Sequence, residues 1–183
     1  MDFVSNDALI IVDVQNDFCS GASLAVPGAE LIFANINEVI LKAINAGIPI
    51  IASRDWHPLN HSSFVEQGGE WPRHCVQETI GAELHPDLQI PSLTKIFSKG
   101  TNPTIDQYSA FDTGELIDWL KSNKVRRLFI VGLALDYCVK ATSLDAVRFG
   151  LQAYLIENCT KPVNMTCGVK ALSFMKDSGV IIV

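Results

Sequence analysis

Long apolar runs are missing from this 183-residue chain. The longest unbroken uncharged apolar run, Leu128 to Leu135, falls well short of the ~20 residues a membrane-spanning helix needs. Positive charge is scarce, with 14 Lys and Arg against 20 Asp and Glu and a formal net charge of −6. Lys124, Arg126 and Arg127 form the only basic cluster. That is too small a footprint for nucleic acid, and the acidic remainder repels phosphate. Neither nucleic acid nor membrane is therefore an expected partner. A disulfide framework is also missing. The 5 cysteines (Cys19, Cys75, Cys138, Cys159, Cys167) are odd in number and irregularly spaced, as in a reduced protein. No secretory pattern is seen: Asp2 and Asp7 precede the first basic residue, Lys42, and the apolar run from Ala8 stops at Asp13. A cytoplasmic location is expected. Charged residues are only 19%, glycines 12 and prolines 8, without repeats, which excludes disorder and collagen-like structure. What the chain does have is apolar content, 48%, enough for one domain over 1–183 with a core that needs no staples.

Short apolar runs alternate with segments of helical period. Ala8–Val14 reads as a buried strand. Leu31, Ile32, Ile36, Val39, Ile40, Ala43 and Ile44 recur at three- and four-residue steps, predicting an amphipathic helix that ends near Gly47. Ile48–Ser53 is a second strand. Residues 54–93 show no period and are rich in Pro, Gly, His and Trp; so long a loop region is usually functional. Thr94–Ser98 is a third strand. Asp112 with Glu115 suggests a capping box opening a helix to about Lys121. Leu128–Gly132 is a fourth strand, followed by a helix from about Asp136 to Gly150. Leu151–Glu157 is a fifth strand, Asn164 caps a helix to about Ser178, and Val180–Val183 is a sixth strand. Apolar strands alternating with helices predict an α/β fold, a doubly wound three-layer sandwich with a six-stranded parallel sheet. Ligand sites in such sheets lie beyond the carboxyl ends of the strands. Asp13, Asp55, His57, Lys99 and Cys138 all fall there.

Two constellations carry chemistry. Asp55 and His57 are two apart, and Pro58 holds that segment extended, so both side chains face one way. His74 follows in a Trp71-Pro-Arg-His-Cys75 segment. Two imidazoles and a carboxylate with open positions suit a catalytic divalent metal such as zinc, iron or manganese. The alternative is a set of unrelated loop residues. His61 is either a fourth ligand or a group that orients bound water, as Ser63 and Glu66 also can. Cys138 lies at a predicted helix N-terminus, where N–H groups and partial positive charge lower a thiol pKa. Its alternative is a small core residue. Asp13, acidic at the end of a buried strand, requires a partner, and Lys99 is the candidate. Together the three form a nucleophile, base and electrostatic set.

These residues stand in five ordered motifs: Asp13-Val-Gln-Asn-Asp-Phe18; Ser53-Arg-Asp-Trp-His-Pro58 with His61-Ser-Ser-Phe64; Trp71-Pro-Arg-His-Cys75; Phe97-Ser-Lys-Gly100; and Val131-Gly-Leu-Ala-Leu-Asp-Tyr-Cys138. Over nearly its whole length the chain resembles the nicotinamidases of the isochorismatase-like cysteine hydrolase superfamily. The resemblance implies six parallel strands flanked by helices. It implies hydrolysis of nicotinamide, a small-molecule amide, to nicotinate and ammonia, within pyridine nucleotide salvage. In the family's pattern Cys138 is the nucleophile, Asp13 the proton carrier and Lys99 the charge stabiliser. Asp55, His57 and His74 hold one divalent ion, zinc foremost, which grips the pyridine nitrogen. Backbone N–H groups of Ala134 and Cys138 form an oxyanion hole, after a cis peptide preceding Ala134. Phe18 and Trp71 flank the ring, and Leu133 and Tyr137 complete the substrate contacts. Sister amidases acting on carbamoyl or ureido substrates share the Asp, Lys and Cys but generally lack the metal set. Isochorismatase itself typically lacks the cysteine. A non-catalytic metal-binding or redox module would not require Asp13 and Lys99 together. The sequence leaves oligomeric state open, a homo-oligomer included.

Overall fold

The computed structural model describes residues 2–183. Six strands form one all-parallel sheet: β1 (Asp7–Val12), β2 (Ile50–Asp55), β3 (Lys95–Lys99), β4 (Arg127–Leu133), β5 (Gln152–Lys161) and β6 (Ile181–Ile182). Four α-helices accompany them: α1 (Phe33–Ala46), α2 (Glu115–Ser122), α3 (Lys140–Arg148) and α4 (Met165–Asp177). The strand order is β3-β2-β1-β4-β5-β6. The chain builds outward from β1 in one direction, then returns to lay β4 on the other side of β1. Order reverses between β1 and β4, and a crevice opens there beyond the carboxyl ends of both strands.

Burial explains why β1 has no polar alternation. Leu9 and Ile11 face one core, shared with Ile36, Val39 and Ile40 of α1. Ala8, Ile10 and Val12 face a second, shared with Leu116 and Leu120 of α2, Ala146 of α3 and Met175 of α4. One helix thus covers one face of the sheet and three cover the other. Helix α1 stops where the sequence pattern stops, at Gly47 (φ 67°), whose N–H reaches the carbonyls of Ala43 and Ile44. Asn164 caps α4 by accepting from the Cys167 N–H. Among the described residues no helix is long and apolar enough to cross a membrane.

Several boundaries differ from the sequence reading. Strand β1 ends at Val12, not Val14, because Asp13 turns into the left-handed region (φ 48°). The capping box at Asp112 does not form. Its carboxylate instead accepts from the Ser109 N–H at 2.9 Å, and α2 opens after Gly114 (φ 78°). The helix expected from Asp136 starts as a π turn, Leu135–Val139, before α3 takes over. Strand β5 runs on to Lys161, with an irregularity opposite Ile130–Gly132. The long segment between β2 and β3 holds two short 3₁₀ turns and is pinned by single bridges, His57 to Val76 and Phe64 to Trp71.

Ile10 is fully buried beneath α2–α4. Truncation there leaves a cavity between sheet and helices. Ile10→Ala is expected to cost about 2–5 kcal/mol, read from the urea unfolding midpoint at unchanged m.

Candidate active site

Asp13, Asp55, Lys99 and Cys138 lie at or shortly after the carboxyl ends of four strands, and His74 comes from the long segment between β2 and β3. Asp13 follows β1. Its Oδ1 accepts from Ser53 Oγ at 2.7 Å. Its Oδ2 lies 3.0 Å from Lys99 Nζ but accepts no well-aligned hydrogen bond, leaving a lone pair open to the thiol side. Lys99 closes β3 and is 1% exposed. Its ammonium donates to Asp55 Oδ1 at 2.5 Å and to Cys138 Sγ at 3.4 Å. One cation therefore faces two carboxylates and a sulfur inside the protein.

The electrostatics follow from burial first and neighbours second. Desolvation pushes the Asp13 carboxyl up, and Lys99 only partly opposes it. Desolvation alone would pull Lys99 down; Asp13 and Asp55 outweigh it and hold the ammonium well above its ordinary range. The Cys138 thiol is also pushed well above its usual value, first by burial, against the opposing pull of Lys99. This corrects the expectation of a thiol acidified by a helix N-terminus. A helix end supplies ~0.3–1 kcal/mol, less than one pKa unit. Full burial can shift a group by ~3–5 units. The resting sulfur is a thiol, and ionising it requires a base.

The second constellation adjoins the first. Asp55 closes β2, and the segment to His57 is extended, as Pro58 dictates. His57 Nδ1 donates to the Gly100 carbonyl at 3.0 Å, and His74 Nδ1 donates to that of Pro72 at 2.8 Å. Both rings thereby turn Nε2 inward, the backing by which proteins orient metal-binding imidazoles. Burial lowers His57 to about 3, helped by the nearby His74 and His61, so the ring carries a free lone pair at neutral pH. Gly100 is dictated by this packing: a Cβ there would lie 2.3 Å from His57 Cε1, and φ is +64°. One donor atom each from Asp55, His57 and His74 lie within 4.8 Å of one another. Two neutral imidazole nitrogens and a carboxylate oxygen fit a divalent cation.

Not every expected residue joins. His61 is buried, but Ser63 Oγ faces its Nδ1 at 2.7 Å and the Ile105 carbonyl faces its Nε2 at 3.2 Å. Both nitrogens have protein partners, and His61 is not among the three donors that converge. Glu66 lies on the surface beside Arg73, at 3.3 Å. Leu133 is fully buried in the α1-side core and does not line the pocket.

Cys138 of the first constellation and Asp55, His57 and His74 of the second line one and the same pocket. Phe18, Trp71, Tyr137, Ala134 and Cys138 line it. The Leu133–Ala134 peptide is cis. Sequence reasoning missed Gln107 and Tyr108 on the wall, and two buried polar braces. Tyr108 accepts from Trp71 Nε1 at 3.0 Å, and Gln107 Oε1 accepts from the Gly100 N–H at 2.8 Å. Asp136 braces the π turn by accepting from the N–H groups of Val163 and Asn164. Gln15 braces Asp55. Residues 101–109 have no period or motif that marks Gln107 and Tyr108. Gln15 and Asp136 do lie inside motifs, two residues from Asp13 and Cys138.

Removing the cation isolates the test of this arrangement. Lys99→Met leaves Asp13 and Asp55 facing each other unneutralised. It is expected to cost the metal-free protein about 3–5 kcal/mol at pH 7. The deficit should be smaller at pH 5 than at pH 7, because a carboxyl raised by burial takes up a proton at higher pH than a free one, and its protonation removes the repulsion. Urea unfolding of parent and variant at both pH values measures it.

The comparisons agree with this geometry. An isochorismatase domain model matches residues 7–183. A nicotinamidase of Escherichia coli (strain K12) is 41% identical over 192 aligned positions, covering 93% of this chain and 90% of that protein. A pyrazinamidase of Pyrococcus horikoshii, solved in complex with zinc, superposes with a TM-score of 0.95 at 44% identity, covering 97% of this chain and 98% of the other. PnC1 from L. infantum, solved with nicotinate, gives a TM-score of 0.91 at 36% identity, covering 100% and 96%. With an isochorismatase domain matched over residues 7–183 and a relative 41% identical over most of both chains, this chain belongs to the isochorismatase family.

Proposed function

We infer that this protein is an amidohydrolase that converts nicotinamide and water to nicotinate and ammonia through a thioester on Cys138. One observation carries the reading: Asp55 is shared. It accepts from Lys99, which also donates to Cys138, and it stands with His57 and His74 as a metal donor. A thiol, its charge partners and a cation site therefore meet in one slot lined by Phe18 and Trp71. A flat heteroaromatic amide fits between them. Nicotinamidase activity in relatives at this identity supports the same chemistry here.

In this reading Asp55, His57 and His74 hold a divalent ion, zinc by analogy with the Pyrococcus relative and iron or manganese by donor type. When bound, it supplies a fixed Lewis-acid contact for the pyridine nitrogen and so sets the ring's orientation. The chain's own groups do the rest. Phe18 and Trp71 hold the ring faces, with Tyr137 at the edge. Asp13 Oδ2 removes the thiol proton, which the raised Asp13 carboxyl readily accepts. The sulfur attacks the carboxamide carbon. Backbone N–H groups at Ala134 and Cys138 receive the oxyanion, each such donor being worth roughly 2.7–4 kcal/mol elsewhere. Lys99 offsets the charge that develops on sulfur and oxygen. The tetrahedral centre collapses, the C–N bond breaks, and the amine leaves as ammonia with the proton from Asp13. Water then attacks the thioester, again giving a proton to Asp13. The C–S bond breaks, Asp13 returns that proton to the sulfur to restore the thiol, and the acid product gives its remaining proton to solvent and departs as nicotinate.

A sister amidase for carbamoyl or ureido substrates needs the Asp, Lys and Cys but not three converging metal donors. Nicotinate as product assigns the reaction to pyridine nucleotide salvage. The 5 free cysteines suit a reducing cytoplasm.

An ammonia assay over a panel of amides tests the assignment. Nicotinamide should be turned over far faster than ureido compounds. Cys138→Ala is expected to lose at least about 10³-fold in kcat/KM, as removal of a nucleophile does elsewhere. A variant of normal rate removes the thioester from the scheme. Chelation should abolish turnover and zinc should restore it; chelated protein with unchanged KM and kcat ends the orienting role of the metal.

A further inference from the structure

Strand β1 leaves the sheet two residues short of the end of β2, since its last residue, Val12, pairs with Ser53 and β2 runs on to Asp55. The Asp13 N–H still donates to the Ser53 carbonyl at 3.2 Å, continuing the ladder. In a regular parallel pair the next partners on β1 would serve the N–H and C=O of Asp55. Asp13 turns into the left-handed region instead, and Gln15 N–H folds back on the Asp13 carbonyl at 2.9 Å. Both backbone groups of Asp55 would then be buried without partners, which destabilises a fold. The Gln15 side chain fills both roles. Its Oε1 accepts from the Asp55 N–H at 2.8 Å, and its Nε2 donates to the Asp55 carbonyl at 2.8 Å. The second hydrogen of Nε2 goes to the Ala82 carbonyl at 2.9 Å. A carboxamide has the shape and polarity of a peptide unit, so Gln15 works as a one-residue strand.

Its own backbone is pinned. Gln15 bridges to Leu84, the Asn16 N–H donates to the Glu83 carbonyl at 3.0 Å, and the His85 N–H donates to that of Val14 at 2.8 Å. Gln15 is fully buried, and three of its four hydrogen-bonding positions are filled. On its far side β2 pairs with β3, Asp55 in register with Lys99, and the Trp56 N–H donates to the Lys99 carbonyl at 2.9 Å. The N–H and C=O of Asp55 itself point the other way, and Gln15 is the partner that meets both.

We propose that Gln15 is a positioning residue for this reaction: by clamping the Asp55 backbone it fixes the one carboxylate that both Lys99 and the metal site use. The inference rests on the reading of Asp55 as a metal donor given above. It predicts a defect in metal binding beyond any loss of stability.

Zinc affinity of folded, metal-stripped protein, measured by competition with a chromophoric chelator, decides it. Gln15→Leu keeps the volume and removes all three hydrogen bonds. It is expected to bind zinc at least tenfold more weakly than the parent, in line with the ~10–100-fold cost of losing supports behind metal ligands. Val39→Ala, which opens a cavity under α1, controls for stability alone and should bind zinc within twofold of the parent. Parent-like affinity in Gln15→Leu, or an equal loss in both variants, overturns the proposal. Gln15→Glu keeps the acceptor for the Asp55 N–H and loses the donor, and covers the case in which the leucine variant does not fold. It should lose at least threefold in affinity and shift the d–d absorption of the cobalt-loaded protein; no change in either overturns the clamp. A parent that takes up no zinc, or an Asp55→Ala variant that takes it up normally, removes the metal reading itself and this inference with it. Loss in Asp55→Ala alone, with Gln15→Leu intact, removes the clamp and leaves the metal reading standing.

Discussion

A single buried ammonium organises this protein's working end. Lys99 is surrounded by Asp13, Asp55 and Cys138, and its own burial disfavours its charge. Nothing but the two carboxylates makes an ion tolerable there, and nothing but the ion makes two carboxylates tolerable. Buried charges of this kind are poor investments in stability, because desolvation consumes most of the Coulombic gain. Their value is in reactivity. Burial raises both Asp13 and Cys138 while Lys99 opposes it, and one Asp13 oxygen is left without a hydrogen bond.

Sheet topology is what brings these groups together. Asp13, Asp55, Lys99 and Cys138 come from four segments spread over more than two-thirds of the chain. Parallel strands all end on the same side, so residues just past β1, β2, β3 and β4 necessarily share one edge. The reversal of order between β1 and β4 then leaves room for a ligand at that edge. Local irregularities refine the placement. Asp13 departs from β1, the π turn presents Cys138, and Gly100 admits the His57 ring. Regular elements on either side are rigid enough to hold them.

Much of this was legible from residue order. Continuous apolar runs gave six strands, since a strand buried on both faces has no reason to alternate, and the three-step recurrence from Leu31 to Ile44 gave α1 with its Gly47 end. Asp-x-His before proline and a later histidine gave the metal trio. Other features were hidden for physical reasons. A π turn differs from an α turn by one hydrogen-bond register, which leaves no mark on hydrophobic period. His61 sits among ligand-type residues, yet its partners are Ser63 and a carbonyl 44 residues away, invisible to spacing. The direction of the Cys138 shift depended on burial depth, which outweighs the helix terminus that sequence could locate. Leu133 lay in the right motif, but a strand's alternation sends its side chain to the core. Gln107 and Tyr108 came from a stretch without pattern, where contacts made by the fold, not local preference, decide position.

The two halves of the site are coupled through Asp55. A carboxylate has two oxygens, and one is committed to Lys99. Any cation bound beside His57 and His74 would therefore draw on the same charge that neutralises the ammonium. Positive charge arriving on one side weakens the hold of Asp55 on Lys99 from the other, and Lys99 then leans more on Asp13 and on the sulfur. In the proposed metal-bound form, occupancy of that site and the charge beside the thiol would be linked through this one carboxylate. An arrangement with separate carboxylates for each cation would lack this link. That one side chain serves both explains why its backbone is held on a sheet edge by a buried glutamine and not left to a loop.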